Sequence, residues 1–222
     1  MEPEFWQQRW RQGEIGFHLE QPNPRLIAHW PALALPAAAR VLVPLCGKSR
    51  DLAWLAERGH EVIGVELSQI AVTDFFREQF DPSHPLPGGS RCGNFDSYRA
   101  GNLEILCGDC FDLERSLLGP LDAVYDRAAL VALPDPLRAR YAKLLTELLP
   151  SGAQMLLVTF EYPQAEMSGP PFSVGPDAVQ NLYGADFAID LLASEDILDA
   201  EPRFRQRGLQ TLHEHVFHLR RR

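Results

Sequence analysis

Residues 40–66 read RVLVPLCGKSRDLAWLAERGHEVIGVE and combine a strand, a tight turn, a helix and a second strand that ends on a carboxylate. Arg40–Leu45 is a short apolar run typical of a buried parallel strand, and Gly59 stands where a helix C-cap belongs. In open α/β sheets ligands bind at the carboxyl ends of the strands, and an acid about 20 residues after the first turn accepts hydrogen bonds from ribose hydroxyls. The offset from Gly47 to Glu66 therefore predicts half of a nucleotide-cofactor site.

Length and composition favour one soluble domain. The chain has 222 residues, of which 45% are hydrophobic and 23% are charged, as in ordinary globular proteins. No low-complexity stretch divides it, so we expect a single domain over residues 1–222, with a core at 40–222. No apolar run approaches the roughly 18 residues of a membrane span, and the N-terminus does not resemble a signal peptide. We therefore expect a cytoplasmic protein that is not bound to a membrane.

Charge and cysteine content narrow the range of partners. The net charge of −9 argues against nucleic-acid binding, which needs a basic surface. Four cysteines in a chain without an export signal favour reduced thiols over a disulfide framework. A nucleic-acid partner is therefore not expected. We also expect the protein to be a monomer.

The segment 1–30 precedes the first strand and is rich in aromatic residues. Trp6 and Trp10 are separated by four positions, so they share one face of a predicted helix. Such a helix either docks on the core or forms a lid over a ligand, and the pattern supports both. We expect residues 1–30 to form an N-terminal helical lid, with simple docking on the core as the alternative.

Strands and helices alternate along the rest of the chain. Ser68 is a plausible N-cap for a helix that runs through Phe80, and the Pro- and Gly-rich segment Asp81–Arg91 predicts a loop. The further strands are expected at Phe95–Tyr98, Leu103–Cys107, Leu121–Asp126, Gln154–Phe160, Phe187–Leu192 and Leu209–Leu219, and the further helices at Pro136–Leu149 and Asp177–Tyr183. This order predicts an α/β fold: a doubly wound, mostly parallel seven-stranded sheet with helices on both faces and a C-terminal antiparallel hairpin.

Two phosphate-binding signatures are incomplete. Gly47-Lys48-Ser49 is half of a phosphate loop, but the glycine required five positions earlier is Leu42. The Gly-x-Gly-x-x-Gly pattern of dinucleotide sites is also absent. A cofactor with a ribose and no phosphates fits the turn better.

Cys107 and Cys110 have the spacing of a metal or redox pair, with histidines at 213, 215 and 218 as conceivable partners. One such pair is weak evidence, and alternating histidines are ordinary strand residues, so we predict no metal. Asp109 is the stronger candidate, because it follows a central strand where an acidic side chain or backbone groups can hold an adenine edge.

Asp126 and Arg127 end the next strand. An Asp-Arg pair is commonly a structural salt bridge, but at the carboxyl edge of the sheet the arginine can also meet an anionic ligand. The nucleophile elbow Gly-x-Ser-x-Gly does not occur, so hydrolase chemistry has no support in the sequence.

The chain resembles the thiopurine S-methyltransferases, which have the class I, Rossmann-like fold of S-adenosylmethionine-dependent methyltransferases. The resemblance covers nearly the whole chain. It rests on Trp10 with Gly16-Phe17-His18, Val43-Pro44-Leu45-Cys46-Gly47-Lys48, Gly59-His60 with Val65-Glu66, Asp126-Arg127 with Ala129-Leu130-Val131-Ala132, and Gly169-Pro170-Pro171-Phe172.

The resemblance implies a cofactor, S-adenosylmethionine, with S-adenosylhomocysteine as its product. The residues that it implies for cofactor binding are Trp10, Leu45, Gly47, Glu66, Asp109, Cys110 and Arg127. It implies methyl transfer to the sulfur of a thiopurine or small aromatic thiol, with selenium and tellurium compounds as further acceptors in bacterial members. Phe17, His18 and Phe172 are the candidates for the acceptor pocket, and Arg127 is the candidate for orienting an anionic acceptor.

Two other functions remain open at this point. A non-catalytic, nucleotide-responsive binding module would bind the cofactor without turnover. A methyltransferase with another small-molecule acceptor would share the donor site. Methylation of nucleic acid is disfavoured by the acidic charge balance and by the lack of an NPPY-like tetrapeptide.

Overall fold

A computed structural model describes residues 3–80 and 88–222. Its internal contacts divide the chain into two compact units, Met1–Val124 and Tyr125–Arg222. The strand Ala123–Arg127 runs across the boundary and belongs to both units. The prediction of one domain over 1–222 stays a prediction.

The first unit contains five helices and five complete strands within its described residues. The helices are α1 (Pro3–Gln12), α2 (Pro24–His29), α3 (Arg50–Glu57), α4 (Gln69–Gln79) and α5 (Arg115–Leu118). The strands are β1 (Arg40–Pro44), β2 (Glu61–Glu66), β3 (Ser90–Cys92), β4 (Phe95–Ala100) and β5 (Leu103–Cys107), followed by the start of β6 (Ala123–Arg127). They lie in the order β3-β4-β5-β2-β1-β6.

The centre of this unit is parallel and buried. β1 pairs in parallel with β2 and with β6, and β2 pairs in parallel with β5. Val41, Leu42 and Ile105 are almost fully buried, as a sheet covered on both faces requires. The parallel direction places the turn after β1 beside the end of β2.

Three local predictions in this unit are confirmed. Gly59 follows α3 with φ +86°, and its N–H donates to Ala56 O at 2.9 Å, which is a left-handed helix C-terminus. Ser68 caps α4, since its Oγ accepts a hydrogen bond from Ala71 N at 3.4 Å. The strands predicted at Phe95–Tyr98 and Leu103–Cys107 form the antiparallel pair β4–β5.

The predicted loop over 81–91 was wrong at its end. Residues 81–87 lie outside the described residues, but β3 begins at Ser90 and pairs with β4. Gly93, with φ +59°, opens the two-residue turn between β3 and β4. Glycine at the first turn position suits such hairpins. The described residues form nine strands in place of the predicted seven, and β3 is the one for which no strand was predicted.

The second unit contains three helices and three complete strands, in addition to the end of β6. They are α6 (Asp135–Leu148), β7 (Gln154–Glu161), α7 (Pro176–Tyr183), β8 (Phe187–Asp196), α8 (Pro202–Gln206) and β9 (His213–Arg221). The strands lie in the order β6-β7-β9-β8, and β9 is antiparallel to both β7 and β8. The C-terminal antiparallel hairpin is therefore confirmed, as is the α/β class with a parallel central sheet.

A separate apolar cluster lies beside the hairpin. It contains Tyr162, Met167, Leu198, Phe204, Leu209 and Leu212. These residues flank β7, β8 and β9 at one end. The cluster anchors the segment that leads to Phe172.

Candidate functional site

The turn after β1 has a strained backbone. We call residues 45–49 the β1 turn. Leu45 has φ +47° and Gly47 has φ +54°. A non-glycine residue in the left-handed region costs on the order of 1 kcal/mol, and such strain concentrates at ligand sites. Ser49 ends the turn and caps α3 by accepting a hydrogen bond from Asp51 N at 3.2 Å.

Glu66 ties this turn to the end of β2. Its Oε2 accepts a hydrogen bond from Gly47 N at 2.9 Å, and its Oε1 accepts one from Ser68 N at 2.7 Å. The side chain is 6% exposed, and burial raises the pKa of its carboxyl although the backbone N–H groups oppose that shift. Each carboxylate oxygen can accept more than one hydrogen bond. Glu66 can therefore hold the turn and still accept from hydroxyl groups.

The aromatic residues of the N-terminal segment cover the β1 turn. A Cβ atom at position 47 would lie 3.2 Å from Trp10 Cζ2 and 3.8 Å from Phe17 Cε2. Trp10 itself is 6% exposed and meets Phe17 edge to face, with the ring centroids 5.7 Å apart. Glycine at 47 thus has two causes, its φ angle and the indole packed against it.

His18 and Lys48 lie at the edge of the same turn. Burial lowers the pKa of His18, and the nearby Lys48 charge lowers it further. The His18 Nδ1 atom is buried and has no hydrogen-bond partner among the described residues. Lys48 Nζ is 2.6 Å from Glu78 Oε1, so its charge is paired within the protein. The pairing of Lys48 within the protein agrees with the incomplete phosphate-loop signature, because the lysine of a complete one binds phosphate.

Asp109 and Cys110 follow β5. Asp109 Oδ1 accepts a hydrogen bond from Phe111 N at 2.9 Å and thereby caps a single 3₁₀ turn over Cys110–Asp112. Cys110 is buried, and Cys107 has a pKa raised to about 11 by burial and by Glu66. All four cysteines are thiols in the structure. The role of Asp109 and Cys110 at an adenine stays a prediction.

The turn after β6 is closed by Asp126. We call residues 126–130 the β6 turn. Asp126 is fully buried; its Oδ1 accepts from Leu130 N at 3.1 Å and its Oδ2 from the Tyr141 hydroxyl at 2.7 Å. The sequence placed this carboxylate in a salt bridge or a ligand crevice, and these bonds show a third role. Arg127 is half-buried beside it.

Phe172 is fixed by its backbone in the second unit. Its N–H donates to Val131 O at 2.6 Å, and the ring centroid lies 6.0 Å from the Arg138 guanidinium carbon. Gln164 braces the same segment, because it donates to Met167 O at 2.6 Å and accepts from Ser173 N at 2.9 Å. No local motif marks Tyr141 or Gln164 in the sequence.

The histidines of β9 have strand contacts. His215 Nε2 is 3.0 Å from Glu161 Oε2, and the rings of His213 and His215 stack at 6.2 Å. Within residues 3–80 and 88–222, no group of three or more His, Cys, Asp or Glu side chains is arranged to hold a metal ion. None of the helices in that part of the chain has the length and apolar composition of a membrane span.

Comparison with known proteins identifies the family. The family model of thiopurine S-methyltransferase matches residues 1–222. The chain belongs to this family. A thiopurine S-methyltransferase of Xanthomonas campestris pv. campestris strain 8004 is 51% identical over 223 residues, which cover 100% of both chains. A thiopurine S-methyltransferase of Azotobacter vinelandii is 50% identical over 222 residues, again covering 100% of both.

A solved structure supports the fold. The 1,6-didemethyltoxoflavin-N1-methyltransferase of Burkholderia thailandensis, with bound S-adenosylhomocysteine, superposes with a TM-score of 0.60 over 99% of this chain and 86% of that chain, at 18% identity. As a member of the thiopurine S-methyltransferase family, the protein is an S-adenosylmethionine-dependent methyltransferase. The β1 turn suits this cofactor, since Glu66 retains acceptor capacity for ribose hydroxyls and the adjoining aromatic residues can exclude water.

Proposed function

We propose that this protein transfers the methyl group of S-adenosylmethionine to the sulfur of thiopurines or other small aromatic thiols. The family and the names of its relatives support the acceptor class. The observation that carries the proposal is the buried Glu66 carboxylate, bonded to Gly47 N beneath the Trp10 ring. That arrangement suits a ribose-bearing cofactor without phosphates.

Residues of the first unit supply binding and orientation in this proposal. Glu66 accepts from the ribose hydroxyls, and Leu45 and Gly47 offer backbone groups to the amino-acid end. Trp10 and Phe17 exclude water from the sulfonium, which supplies an electrophilic methyl group when the cofactor is bound. Displacement at that methyl group requires alignment of the acceptor more than a strong base. We assign Asp109 and Cys110 to the adenine.

The acceptor residues that we propose are Phe17, His18, Arg127 and Phe172. His18 stays neutral at neutral pH, because burial and Lys48 lower its pKa. A neutral imidazole can accept a hydrogen bond from a thiol. Arg127 is permanently cationic and suits an anionic thiolate, and Phe172 offers an aromatic face.

A soft nucleophile needs no dedicated catalytic base. The proposal therefore extends to other soft acceptors. Selenium and tellurium compounds are polarizable acceptors of the same kind, and we include their methylation as a proposed activity. Cytoplasmic location and a monomeric state stay predictions from the sequence.

Incubation with methyl-labelled S-adenosylmethionine and 6-mercaptopurine tests the proposal. We expect labelled S-methyl product, identified by mass spectrometry. Hypoxanthine, which carries oxygen in place of the sulfur, is the matched control and should remain unlabelled. Cofactor binding without transfer to any thiol, selenol or tellurite would instead support a binding module.

A further inference from the structure

The β6 turn contains an alanine in the left-handed region of the backbone. Ala128 has φ +62°, between Arg127 and the 3₁₀ turn Leu130–Ala132. An alanine in this conformation costs on the order of 1 kcal/mol, so it persists only where surrounding bonds enforce it. The bond from Leu130 N to Asp126 Oδ1 spans the turn and closes it over Ala128.

Asp126 is held from its other side by α6. Tyr141 is fully buried, and its hydroxyl donates to Asp126 Oδ2 at 2.7 Å. A buried carboxylate is expensive unless its oxygens are hydrogen-bonded, so each of these two bonds constrains where the carboxylate can lie. The rigid helix α6 thereby fixes the position of the turn.

The β6 turn is connected to both proposed acceptor residues of the second unit. Arg127 lies within it, directly after Asp126. Val131 comes next after Leu130, and its carbonyl accepts the hydrogen bond from Phe172 N at 2.6 Å. A shift of the turn would therefore move Arg127 directly and Phe172 through one hydrogen bond.

We propose that Asp126 and Tyr141 are positioning residues that fix the β6 turn and, through it, Arg127 and Phe172 for the acceptor. The inference rests on the proposed function for its catalytic consequence. Neither side chain reaches the acceptor itself, because both are sealed from solvent.

Two tyrosine variants provide a matched test. Tyr183 is also fully buried in the second unit, but its hydroxyl has no hydrogen-bond partner among the described residues. Tyr141→Phe removes the bond to Asp126, whereas Tyr183→Phe removes a hydroxyl without that bond. We expect Tyr141→Phe to lower kcat/KM for 6-mercaptopurine roughly tenfold and Tyr183→Phe to change it by less than about twofold.

Amide hydrogen exchange provides a readout that does not depend on turnover. In Tyr141→Phe, exchange at Leu130 and Phe172 should become faster, while the amides of β7 and β9 should keep the rates that they have in Tyr183→Phe. Faster exchange throughout the second unit would show a general loss of stability and would overturn the inference. Equal exchange at Leu130 and Phe172 in the two variants would overturn it as well.

Asp126→Asn is the conservative variant. Its carbonyl oxygen can still accept from Leu130 N and its amide can donate to the Tyr141 oxygen. It should therefore retain activity above that of Tyr141→Phe, and activity below it would contradict the positioning role. A wild-type protein that methylates no thiol would refute the proposed function, while the exchange experiment would still decide the positioning role. If the wild type methylates 6-mercaptopurine and both tyrosine variants have equal kcat/KM, only the inference is refuted.

Discussion

The β1 turn and the β6 turn use a buried carboxylate in two different ways. Both turns follow a strand and hold a non-glycine residue at positive φ, Leu45 in one and Ala128 in the other. Glu66, on the neighbouring strand, accepts a hydrogen bond from the β1 turn and is 6% exposed. Asp126 lies within the β6 turn, accepts a hydrogen bond from Leu130 of that turn, and is 0% exposed. Glu66 can therefore meet a ligand, whereas Asp126 can only position its neighbours.

The largest effect is expected for the pH dependence of stability at Asp126. Burial raises the pKa of Asp126 from 3.8 to about 6, although Tyr141 and backbone N–H groups oppose the shift. The unfolded chain therefore ionises first, and the folded state loses stability as the pH rises through this range. Relative to wild type, Asp126→Asn should gain about 3 kcal/mol between pH 3 and 7.

Urea unfolding at several pH values measures this difference. Asp177→Asn, which changes an exposed carboxylate in the same unit, is the control and should show no comparable gain. A constant difference between Asp126→Asn and wild type would mean that Asp126 ionises normally and is not sealed.

Packing of Trp10 on Gly47 gives the next largest effect. Gly47→Ala meets a left-handed φ and the indole at 3.2 Å, whereas Gly59→Ala meets a left-handed φ in open space. Both variants should lose about 1 kcal/mol of unfolding free energy through backbone strain. Only Gly47→Ala should also weaken S-adenosylhomocysteine binding in calorimetry. Equal affinities in the two variants would show that Trp10 does not shape the cofactor site.

Ser68 tests whether backbone or side-chain groups hold Glu66. Ser68→Ala removes the cap of α4 but keeps the N–H that donates to Glu66 Oε1. The unfolding free energy should fall by about 1 kcal/mol. The dissociation constant for S-adenosylhomocysteine should stay the same, and a weaker affinity would implicate the hydroxyl in binding.

Substitution of Lys48 should have the smallest effect on stability. Its ammonium pairs with Glu78, whose side chain is 36% exposed, so Lys48→Gln should change the unfolding free energy by less than about 1 kcal/mol. ATP should fail to bind either the variant or the wild type in equilibrium dialysis. ATP binding that Lys48→Gln abolishes would restore the phosphate-loop interpretation.

The two turns also differ in how far the sequence predicts them. The β1 turn and its partner Glu66 both lie within residues 40–66. There the ends of two strands can be recognised, and the offset from Gly47 to Glu66 follows a known pattern. The fold class, the hairpin β4–β5 and the caps at Gly59 and Ser68 followed from similar local patterns. The role of Asp126 could not be predicted in this way. Its partner Tyr141 lies 15 positions away on a helix, where a tyrosine is typical of an ordinary core residue.

Local patterns also could not show what covers the β1 turn. The spacing of Trp6 and Trp10 predicted a helix face. The contact of Trp10 with Gly47, however, joins segments that are far apart in the chain. Strand β3 was missed because three residues after a Pro- and Gly-rich stretch carry little pattern of their own. Long-range packing decides what covers the β1 turn, and pairing with β4 decides strand β3.

Titration of S-adenosylhomocysteine into Glu66→Gln tests the central claim most directly. The amide would present a donor where Glu66 accepts from a backbone N–H and, in the proposed function, from a ribose hydroxyl. Binding should therefore weaken by ~1–3 kcal/mol relative to wild type. Glu57→Gln, an exposed change at the end of α3, should bind as wild type does. If all three proteins share one dissociation constant, Glu66 is only a strand-end residue, and the cofactor assignment of the β1 turn is wrong.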